Sequence, residues 1–512
     1  MKKIFFSIFL AGALLSSCSM NELPTGSLSD ETAIETEKDA MKFRNGIYND
    51  IRSLTAGSVI TYPDIQADQF IGTIVNGNRM GPISIGNINS SDNDLIEFWS
   101  SPYSGIAAVN YFLPKLDAVM AKPGYSQAQQ FELQRYRGES HWARAYFYYL
   151  LTEKYCNSYT VIDPNTPDSG VPLIISYAPT GDYNAYKGRA TLAEVYAQIE
   201  SDLAQAYSDL YAYENSGVDG ATANLTSNAS YLSSYTVMAL QARIALLKGD
   251  WATAIDKAEK VIAGPFQLSD PDEYLNMWVT DSGKELIFVP FGNLDQNGSV
   301  PATGSVWLSN SNGVFDYVPT SSVLASYDAA NDIRFYSFFE TNVIISDGNE
   351  FVAPTFVKFP GNPEFNTGSS NAFKNKPKPF RLSEMYLIIA EAGAMGTEGG
   401  KASDALNALR KARIDGYTDV ALSGQTLLTA VREERGKELI GEGFRISDLR
   451  RWKMGFERTA AYTAEYSSLI DVLTPASVQN KYIAGDYRYL LPIPVKEIDA
   501  NPQLAGHQNP GY

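Results

Sequence analysis

The sequence predicts a mainly α-helical protein in which stacked helix pairs support an irregular, loop-rich face with short strands. Through most of the chain, apolar residues recur at intervals of three and four, which is the spacing of one face of an amphipathic helix. One helix–turn–helix unit stands out between residues 238 and 265. Two long segments, 57–100 and 267–375, lack that spacing and are rich in Gly, Asn and Ser. These three observations predict the fold class.

Composition excludes several classes of function. The chain has 512 residues, of which 44% are hydrophobic and 19% charged, and such values are ordinary for a large globular protein. Lys and Arg total 41 against 58 Asp and Glu, which gives a net charge of −17. Because so acidic a chain without a Lys/Arg-rich run repels phosphate backbones, we expect no nucleic-acid partner. Two Cys and two His are too few for a disulfide framework or for a Cys- or His-rich metal centre.

The N-terminus has the pattern of a bacterial lipoprotein signal. A basic start at residues 1–3 precedes an apolar run at 4–15, which is too short to span a bilayer. Small residues at 16 and 17 then precede Cys18, where a plain secretory signal would end in an A-x-A-like site. This resembles a lipobox, which implies a signal peptide over 1–17, a lipid on Cys18 and a mature body over 18–512. The alternative is a chance Cys after a conventional signal.

The first scaffold helices follow in order along the chain. The second is expected to bend at Pro114. The third carries a wide aromatic face, and Cys156 at its end is interpreted as a buried, inert thiol. A capping box, Thr191-x-x-Glu194, opens the fourth. The four predicted helices cover residues 39–54, 103–120, 127–155 and 191–210.

The clearest repeat runs from Met238 to Pro265. Small residues line both of its helices, Gly249 supplies the turn between them, and Trp251 starts the second helix. This pattern is typical of the second half of a tetratricopeptide-type repeat. A weaker unit covers residues 385–413. Because such units cannot bury their faces alone, several should stack. We assign the helical repeats mainly to 39–56, 103–262 and 380–460.

The remaining segments are expected to form the binding face, because functional loops are usually carried on a rigid scaffold. Residues 286–289 read Leu-Ile-Phe-Val and predict a short strand between loops. The variable face is therefore assigned mainly to 57–100 and 267–375.

Several motifs together carry a family resemblance. Residues 432–452 read REERGKELIGEGFRISDLRRW, and the chain ends YLLPIPVKEIDANPQLAGHQNPGY. Upstream are FRLSEMYLIIAEA (380–392), RATLAEVYAQIESDLAQA (189–206) and GESHWARAYFYYLL (138–151). With the lipobox, these strongly resemble the SusD/RagB family of Bacteroidetes nutrient-binding outer-membrane lipoproteins. The resemblance covers nearly the whole chain and is weakest over 57–100 and 267–375.

The resemblance implies a SusD-like α/α fold, a tetratricopeptide-like scaffold with an irregular face that captures glycans or, in some members, peptides. It also implies a lipid anchor in the outer membrane, a position on the cell exterior, and a SusC-like TonB-dependent transporter as partner. No catalysis and no cofactor are expected. The alternatives are a RagB-like peptide binder, a surface glycoside hydrolase and a purely protein-binding repeat scaffold.

Candidate ligand contacts come from sorting the tryptophans. Trp142, Trp251, Trp278 and Trp452 fit packed patterns, which leaves Trp99 and Trp307 in loop segments flanked by Ser and Asn. Indole and phenol rings can lie flat against sugar C–H faces, and amide and guanidinium groups can bind hydroxyls. The alternative for each residue is local loop packing. The predicted ligand-binding residues are Trp307, Trp99, Phe70, Asn76, Asn78, Arg79, Phe315 and Tyr317.

Two polar patterns suggest other chemistry. Glu434, Glu438 and Glu442 lie at i, i+4 and i+8, so they share one helix face and could supply a glycosidase carboxylate pair. We favour a structural charge network with nearby arginines. The loop Asp163-x-Asn165-x-x-Asp168 offers oxygen ligands for a structural calcium ion, but it lacks EF-hand spacing, and a plain turn is the favoured interpretation.

Overall fold

A computed structural model describes residues 33–73, 81–295, 300–308, 315–346, 349–368, 372–458 and 481–512. Helices dominate these ranges, and the strands are short. The predicted fold class, a mainly α-helical scaffold with short strands, is confirmed. The predicted signal peptide and Cys18 lie outside the described residues.

The helices follow the chain in sixteen described segments. The first eight are α1 (Glu37–Ser53), α2 (Ser58–Gln66), α3 (Gly81–Ser84), α4 (Asn93–Met120), α5 (Gln127–Tyr155), α6 (Leu192–Glu214), α7 (Ser234–Lys248) and α8 (Trp251–Ile262). The others are α9 (Pro271–Thr280), α10 (Ser321–Ala325), α11 (Ile333–Phe338), α12 (Leu382–Met395), α13 (Gly399–Lys411), α14 (Gly424–Glu438), α15 (Arg445–Arg451) and α16 (Val495–Ala500).

The described strands form four two-stranded antiparallel ladders, which pair β1 with β3, β2 with β6, β4 with β5 and β7 with β8. The predicted strand at 286–289 is present as β2. The strands are β1 (Phe70–Gly72), β2 (Leu286–Phe288), β3 (Tyr317–Pro319), β4 (Phe339–Ser346), β5 (Asn349–Phe356), β6 (Phe380–Arg381), β7 (Phe456–Glu457) and β8 (Lys481–Tyr482).

The scaffold is a succession of packed helices. Each helix packs on the next in the order α4, α5, α6, α7, α8 and α12. The helices α13 and α14 both pack on α12, and α1 packs on α4 and α5. The predicted capping box is confirmed, because the Thr191 side chain accepts from the backbone N–H of Glu194 and the Glu194 carboxylate accepts from that of Thr191 at 2.8 Å. The predicted range of the third helix, 127–155, is the range of α5.

The predicted repeat is confirmed as the pair α7 and α8. Gly249 ends α7 with φ +77°, in the left-handed region where glycine is favoured, and the Asp250 carboxylate accepts from the Thr253 N–H to start α8. Ala254 and Ala258 are fully buried, so the helices approach closely. The second unit forms α12 and α13, and α12 packs on α8. The two units therefore stack, as their uncovered faces require.

Ala254→Trp should destabilise this stack. The Ala254 side chain is fully buried in the main core, so an indole there forces neighbouring side chains and backbone to move. We expect a loss of about 1–3 kcal/mol in the free energy of unfolding, or more because the size change is large. Urea denaturation would measure it, and Ala252→Trp on the exposed side of α8 is the control. Equal stability of both variants would contradict the buried helix pair.

The segment 57–100 differs from its predicted irregular structure. It contains α2, and α4 begins at Asn93 rather than at the predicted Tyr103. The helix α4 contains Pro102 and continues through it, because Leu95 and Phe98 extend the buried face of the helix toward its N-terminus. Proline removes one backbone hydrogen bond, and core packing offsets that loss here.

The C-terminal tail is fastened to the scaffold by its signature residues. The Asn509 amide donates to the carbonyls of Tyr155 and Leu491 at 2.9 and 2.7 Å and accepts from Arg189 at 2.8 Å. Asn501 donates to the carbonyl of Lys187 at 2.9 Å. The tail motif thus acts as a structural clamp on the end of α5. Among the described helices, none combines the length and apolar character that crossing a bilayer requires.

Candidate functional site

Strand pairing joins the two segments that were predicted to form the binding face. β1 runs antiparallel to β3, with Phe70 opposite Pro319 and Gly72 opposite Tyr317. The Thr73 hydroxyl extends the contact by donating to the carbonyl of Phe315 at 2.5 Å. Residues far apart in sequence therefore meet in one loop-rich body, which we define by β1, β3, β4, β5, α9 and α11. This body has its own hydrophobic core, separate from that of the scaffold.

Aromatic rings fill the core of the loop-rich body. Trp307 is 1% exposed, and its ring centroid lies 5.0 Å from that of Phe356, 5.4 Å from that of Phe70 and 5.9 Å from that of Phe359. The pair with Phe356 is edge-on, that with Phe70 is tilted and that with Phe359 is stacked, and such pairs stabilise a core beyond the area they bury. The expectation that Trp307 is an exposed ring is wrong, because β5 and the residues after it cover the indole.

The other predicted aromatic contacts are buried as well. Phe70, Phe315 and Tyr317 belong to the same core as Trp307. The pairing of β1 with β3 brings these segments together, but all three side chains are buried in that core and are not exposed on its surface. Asn76, Asn78 and Arg79, which were also predicted to contact ligand, lie outside the described residues.

Trp99 is not part of the loop-rich body. It lies on α4, is 2% exposed, and packs edge-on against Tyr155 of α5 with ring centroids 4.8 Å apart. Its expected position in a loop is wrong, because it belongs to the helical face that α4 buries in the scaffold core.

Exposed apolar groups of the loop-rich body lie on other elements. Val343 and Val352 are cross-strand partners in the β4–β5 hairpin and are both exposed. Tyr336 on α11 is 56% exposed, and its hydroxyl donates to the carbonyl of Ala330 at 2.5 Å. Sequence analysis missed these three. The alternating strand pattern could have found the valines, but nothing local distinguishes Tyr336 from a core tyrosine.

The carboxylate stripe lies beneath this body as a buried charge network. Glu438 Oε1 accepts from Arg381 Nη1 at 2.9 Å, and Oε2 accepts from Arg413 Nε at 3.1 Å and from Arg334 Nη1 at 3.2 Å. Glu438 and its three arginine partners are all buried. The phenol of Tyr274 donates to Oε1 at 3.2 Å. Four segments of the chain therefore meet at one carboxylate.

The two other stripe carboxylates are paired in the same way. Glu434 contacts Arg410 at 2.7 Å and Arg334 at 2.6 Å, while Glu442 contacts Lys358 at 2.7 Å and Arg381 at 2.6 Å. Burial by itself raises the pKa of Glu434, but the nearby cations lower it to about 2. The favoured interpretation of the stripe, a structural network held by arginines, is confirmed.

The structure also describes the two remaining sequence predictions, which concern the loop from Asp163 to Asp168 and the thiol of Cys156. Asp163 accepts from the Asn165 backbone N–H at 3.0 Å, and Asp168 faces His507 Nδ1 at 2.9 Å. The Asp163 bond is that of a turn, as favoured above, whereas the Asp168 contact ties this loop to the C-terminal tail. Within the described ranges, no cluster of three or more His, Cys, Asp or Glu side chains is placed to hold a metal ion. Cys156 is 1% exposed, and burial raises the pKa of its thiol to about 11, which fits the inert thiol that was predicted.

Two family models match the chain. Residues 346–512 match the model described as "SusD family", and residues 28–233 match the one described as "Starch-binding associating with outer membrane". Together they cover the chain on both sides of residues 234–345. No curated protein matches.

Solved structures share the fold over nearly the whole chain. A SusD superfamily protein from Bacteroides thetaiotaomicron is 28% identical and has a TM-score of 0.75, with 93% of this chain and 100% of that chain covered. A SusD-like carbohydrate binding protein from Bacteroides vulgatus is 21% identical, with a TM-score of 0.74 and coverage of 92% and 98%. Surface glycan-binding protein A from Bacteroides fluxus is 20% identical, with a TM-score of 0.67 and coverage of 93% and 99%. The last two show the shared fold.

Proposed function

The chain belongs to the SusD family, and from this premise we propose that it is a cell-surface lipoprotein that captures a glycan and delivers it, without catalysis, to a SusC-like TonB-dependent transporter. The lipid on Cys18 would hold the protein at the outer membrane. The ligand is proposed to be a glycan because structures of the same fold include a carbohydrate binding protein and a surface glycan-binding protein.

The observation that supports the proposal is the pairing of β1 with β3, which joins part of the segment 57–100 to part of the segment 267–375 over one aromatic core. A preorganised core lets neighbouring exposed groups bind ligand without a large ordering cost. Tyr336 and the valine pair of the β4–β5 hairpin offer apolar area for sugar rings. The stripe carboxylates already have cation partners, which supports assigning them to the scaffold.

A polysaccharide and oligosaccharide panel tests the proposal directly. The mature chain from residue 18, expressed without its lipid, should bind at least one glycan in calorimetry and release no reducing ends during prolonged incubation. Release of products would instead support a glycoside hydrolase. Binding of a peptide panel with no glycan binding would support a peptide-capturing protein and contradict the glycan assignment.

Cys18→Ala should release the protein from the membrane. Stable anchoring needs buried acyl chains, and the lipobox places them on this residue. In cells that lack the transporter partner, the variant should appear in the soluble fraction, while the unaltered chain and the control Cys156→Ala stay with the outer membrane. Membrane retention of Cys18→Ala would contradict the anchor.

A further inference from the structure

The scaffold carries an open cleft away from the loop-rich body. It lies between α4, α5 and the segment 174–177, and its volume is about 670 Å³. Sites for small organic ligands commonly have about 300–1,000 Å³, so the cleft has room for one or two sugar rings. It takes residues from both helices and from that segment, and nothing in the proposed function above uses it.

A rigid polar network forms the floor of the cleft. Asp202 on α6 accepts from Arg144 Nε at 2.9 Å and Nη2 at 2.6 Å, and it faces His141 Nδ1 at 2.7 Å. Arg144 Nη1 also donates to Asn110 at 2.7 Å. Because Asp202 holds Nδ1, His141 presents Nε2, which has no hydrogen-bond partner among the described residues. A preorganised floor of this kind spends little entropy when a ligand arrives.

Aromatic and aliphatic side chains form the wall. Tyr177 is 48% exposed and Ile175 is 55% exposed, although both are large and apolar. The Tyr177 ring is held edge-on to Tyr111 of α4, with centroids 5.1 Å apart at 79°. Its orientation is thus fixed while about half of its surface remains in solvent. Contiguous exposed apolar surface next to fixed polar groups is typical of a ligand site.

The charged side chains that line the cleft already have partners. Arg144 is paired with Asp202 beneath the cleft at 2.6 Å, and Asp117 lies 3.7 Å from Arg137. The Lys115 ammonium lies over the Tyr111 ring, 4.6 Å from its centroid. An ion of either sign would meet a like charge here, whereas a neutral polyol would find both a donor and an acceptor.

We propose that this cleft binds a pyranose unit of a neutral oligosaccharide, with Tyr177 as the stacking surface and with Lys115, Asp117 and His141 Nε2 as partners for its hydroxyls. The site is a second carbohydrate subsite on the helical scaffold, and the inference rests on the proposed glycan-binding function. Two sites on one protein can hold one long glycan, so a polymer gains avidity that a single sugar does not.

Calorimetry on the mature chain with neutral hexasaccharides (maltohexaose, cellohexaose, xylohexaose and mannohexaose) tests the subsite, with hexagalacturonic acid as the charged comparison. For a neutral hexasaccharide that binds, Tyr177→Ala should remove one of two binding events or weaken it at least tenfold. The matched control is Tyr183→Ala: this ring is 60% exposed, follows in the same chain segment, and does not line the cleft. The control should bind like the unaltered chain.

The outcomes separate the two proposals. Unchanged affinity and stoichiometry in Tyr177→Ala, together with weaker binding in Tyr336→Ala, would overturn the subsite and leave the proposed function standing. Binding of hexagalacturonic acid alone through Tyr177 would overturn the neutral-ligand assignment. If the unaltered chain binds none of these sugars and no member of the larger panel, both proposals fall. Equal weakening in Tyr177→Ala and Tyr183→Ala would also contradict the cleft, since it would point to the segment as a whole.

Discussion

Glu438→Gln is expected to lower the free energy of unfolding by about 3–5 kcal/mol, the usual cost of removing one partner from a buried ion-pair network. The neutral amide leaves Arg334, Arg381 and Arg413 short of one negative charge in a region without solvent. Its NH₂ group also points donors at donors, because all three guanidinium groups can only donate. Chemical denaturation followed by circular dichroism would measure the loss.

Glu433→Gln is the matched control, because it is the same change on the same helix, α14, at an exposed position. It should alter the free energy of unfolding by less than about 0.5 kcal/mol. Glycan binding by the folded Glu438→Gln protein should be retained. Full stability with lost binding or lost glycan cleavage would move the functional site to α14 and revive the enzyme hypothesis.

The same network makes stability depend on acid. The pKa of Glu434 is about 2 in the folded protein, because the charges of Arg334 and two further cations outweigh the effect of burial. A carboxyl whose folded pKa is depressed contributes stability that is fully present above its unfolded value near 4.5 and is lost as pH falls through about 2. The denaturant concentration at the unfolding midpoint should therefore decrease as the pH is lowered from about 4.5 to about 2. The Glu438→Gln protein, which already lacks one charge, should show the same decrease from a lower starting stability.

Local sequence patterns were sufficient to predict the helices of the scaffold but insufficient to predict which side chains of the binding face are exposed. The ends of α7 and α8 follow from Gly249 and Asp250, whose conformational and capping preferences act within a few residues. The exposure of Trp307 depends instead on Phe356 and Phe359, which reach it only after the chain folds back. Flanking Ser and Asn residues indicate a loop, but an aromatic side chain in a loop can still be buried in a core.

The charge network likewise combines a local spacing that the sequence shows with long-range contacts that it does not show. The spacing of the three glutamates predicts one shared helix face, which is right for Glu434 and Glu438 on α14 but wrong for Glu442, because the helix ends at Glu438 and Glu442 lies in the turn that follows. Their partners come from α11, β6 and the end of α13. These segments lie far apart in the sequence, so no local spacing could predict that they meet. Tyr177 was missed for the opposite reason. Its neighbours Ile174 and Ile175 are apolar and give no local sign of an exposed ring, yet the segment lies on the surface beside α4.

Trp307→Ala is expected to destabilise the loop-rich body by about 3–5 kcal/mol, the range found when a buried tryptophan or phenylalanine is truncated to alanine. The indole is 1% exposed, and its removal leaves a cavity bordered by Phe70, Phe356 and Phe359. Because Phe70 belongs to β1, the ladder that joins the two halves of the face should loosen as well. Thermal and urea unfolding would record the change.

Trp307→Phe separates packing from ligand contact. If the ring acts only as core, phenylalanine should recover much of the lost stability, since it refills most of the cavity. Tyr336→Ala is the exposed aromatic control in the same body and should change the free energy of unfolding by less than about 1 kcal/mol. Any loss of glycan binding in Trp307→Ala should then be matched by lost stability and restored by Trp307→Phe. A stable Trp307→Ala protein that binds its glycan at least tenfold more weakly would show that the indole contacts the ligand, and the buried core described for this body would be wrong at that point.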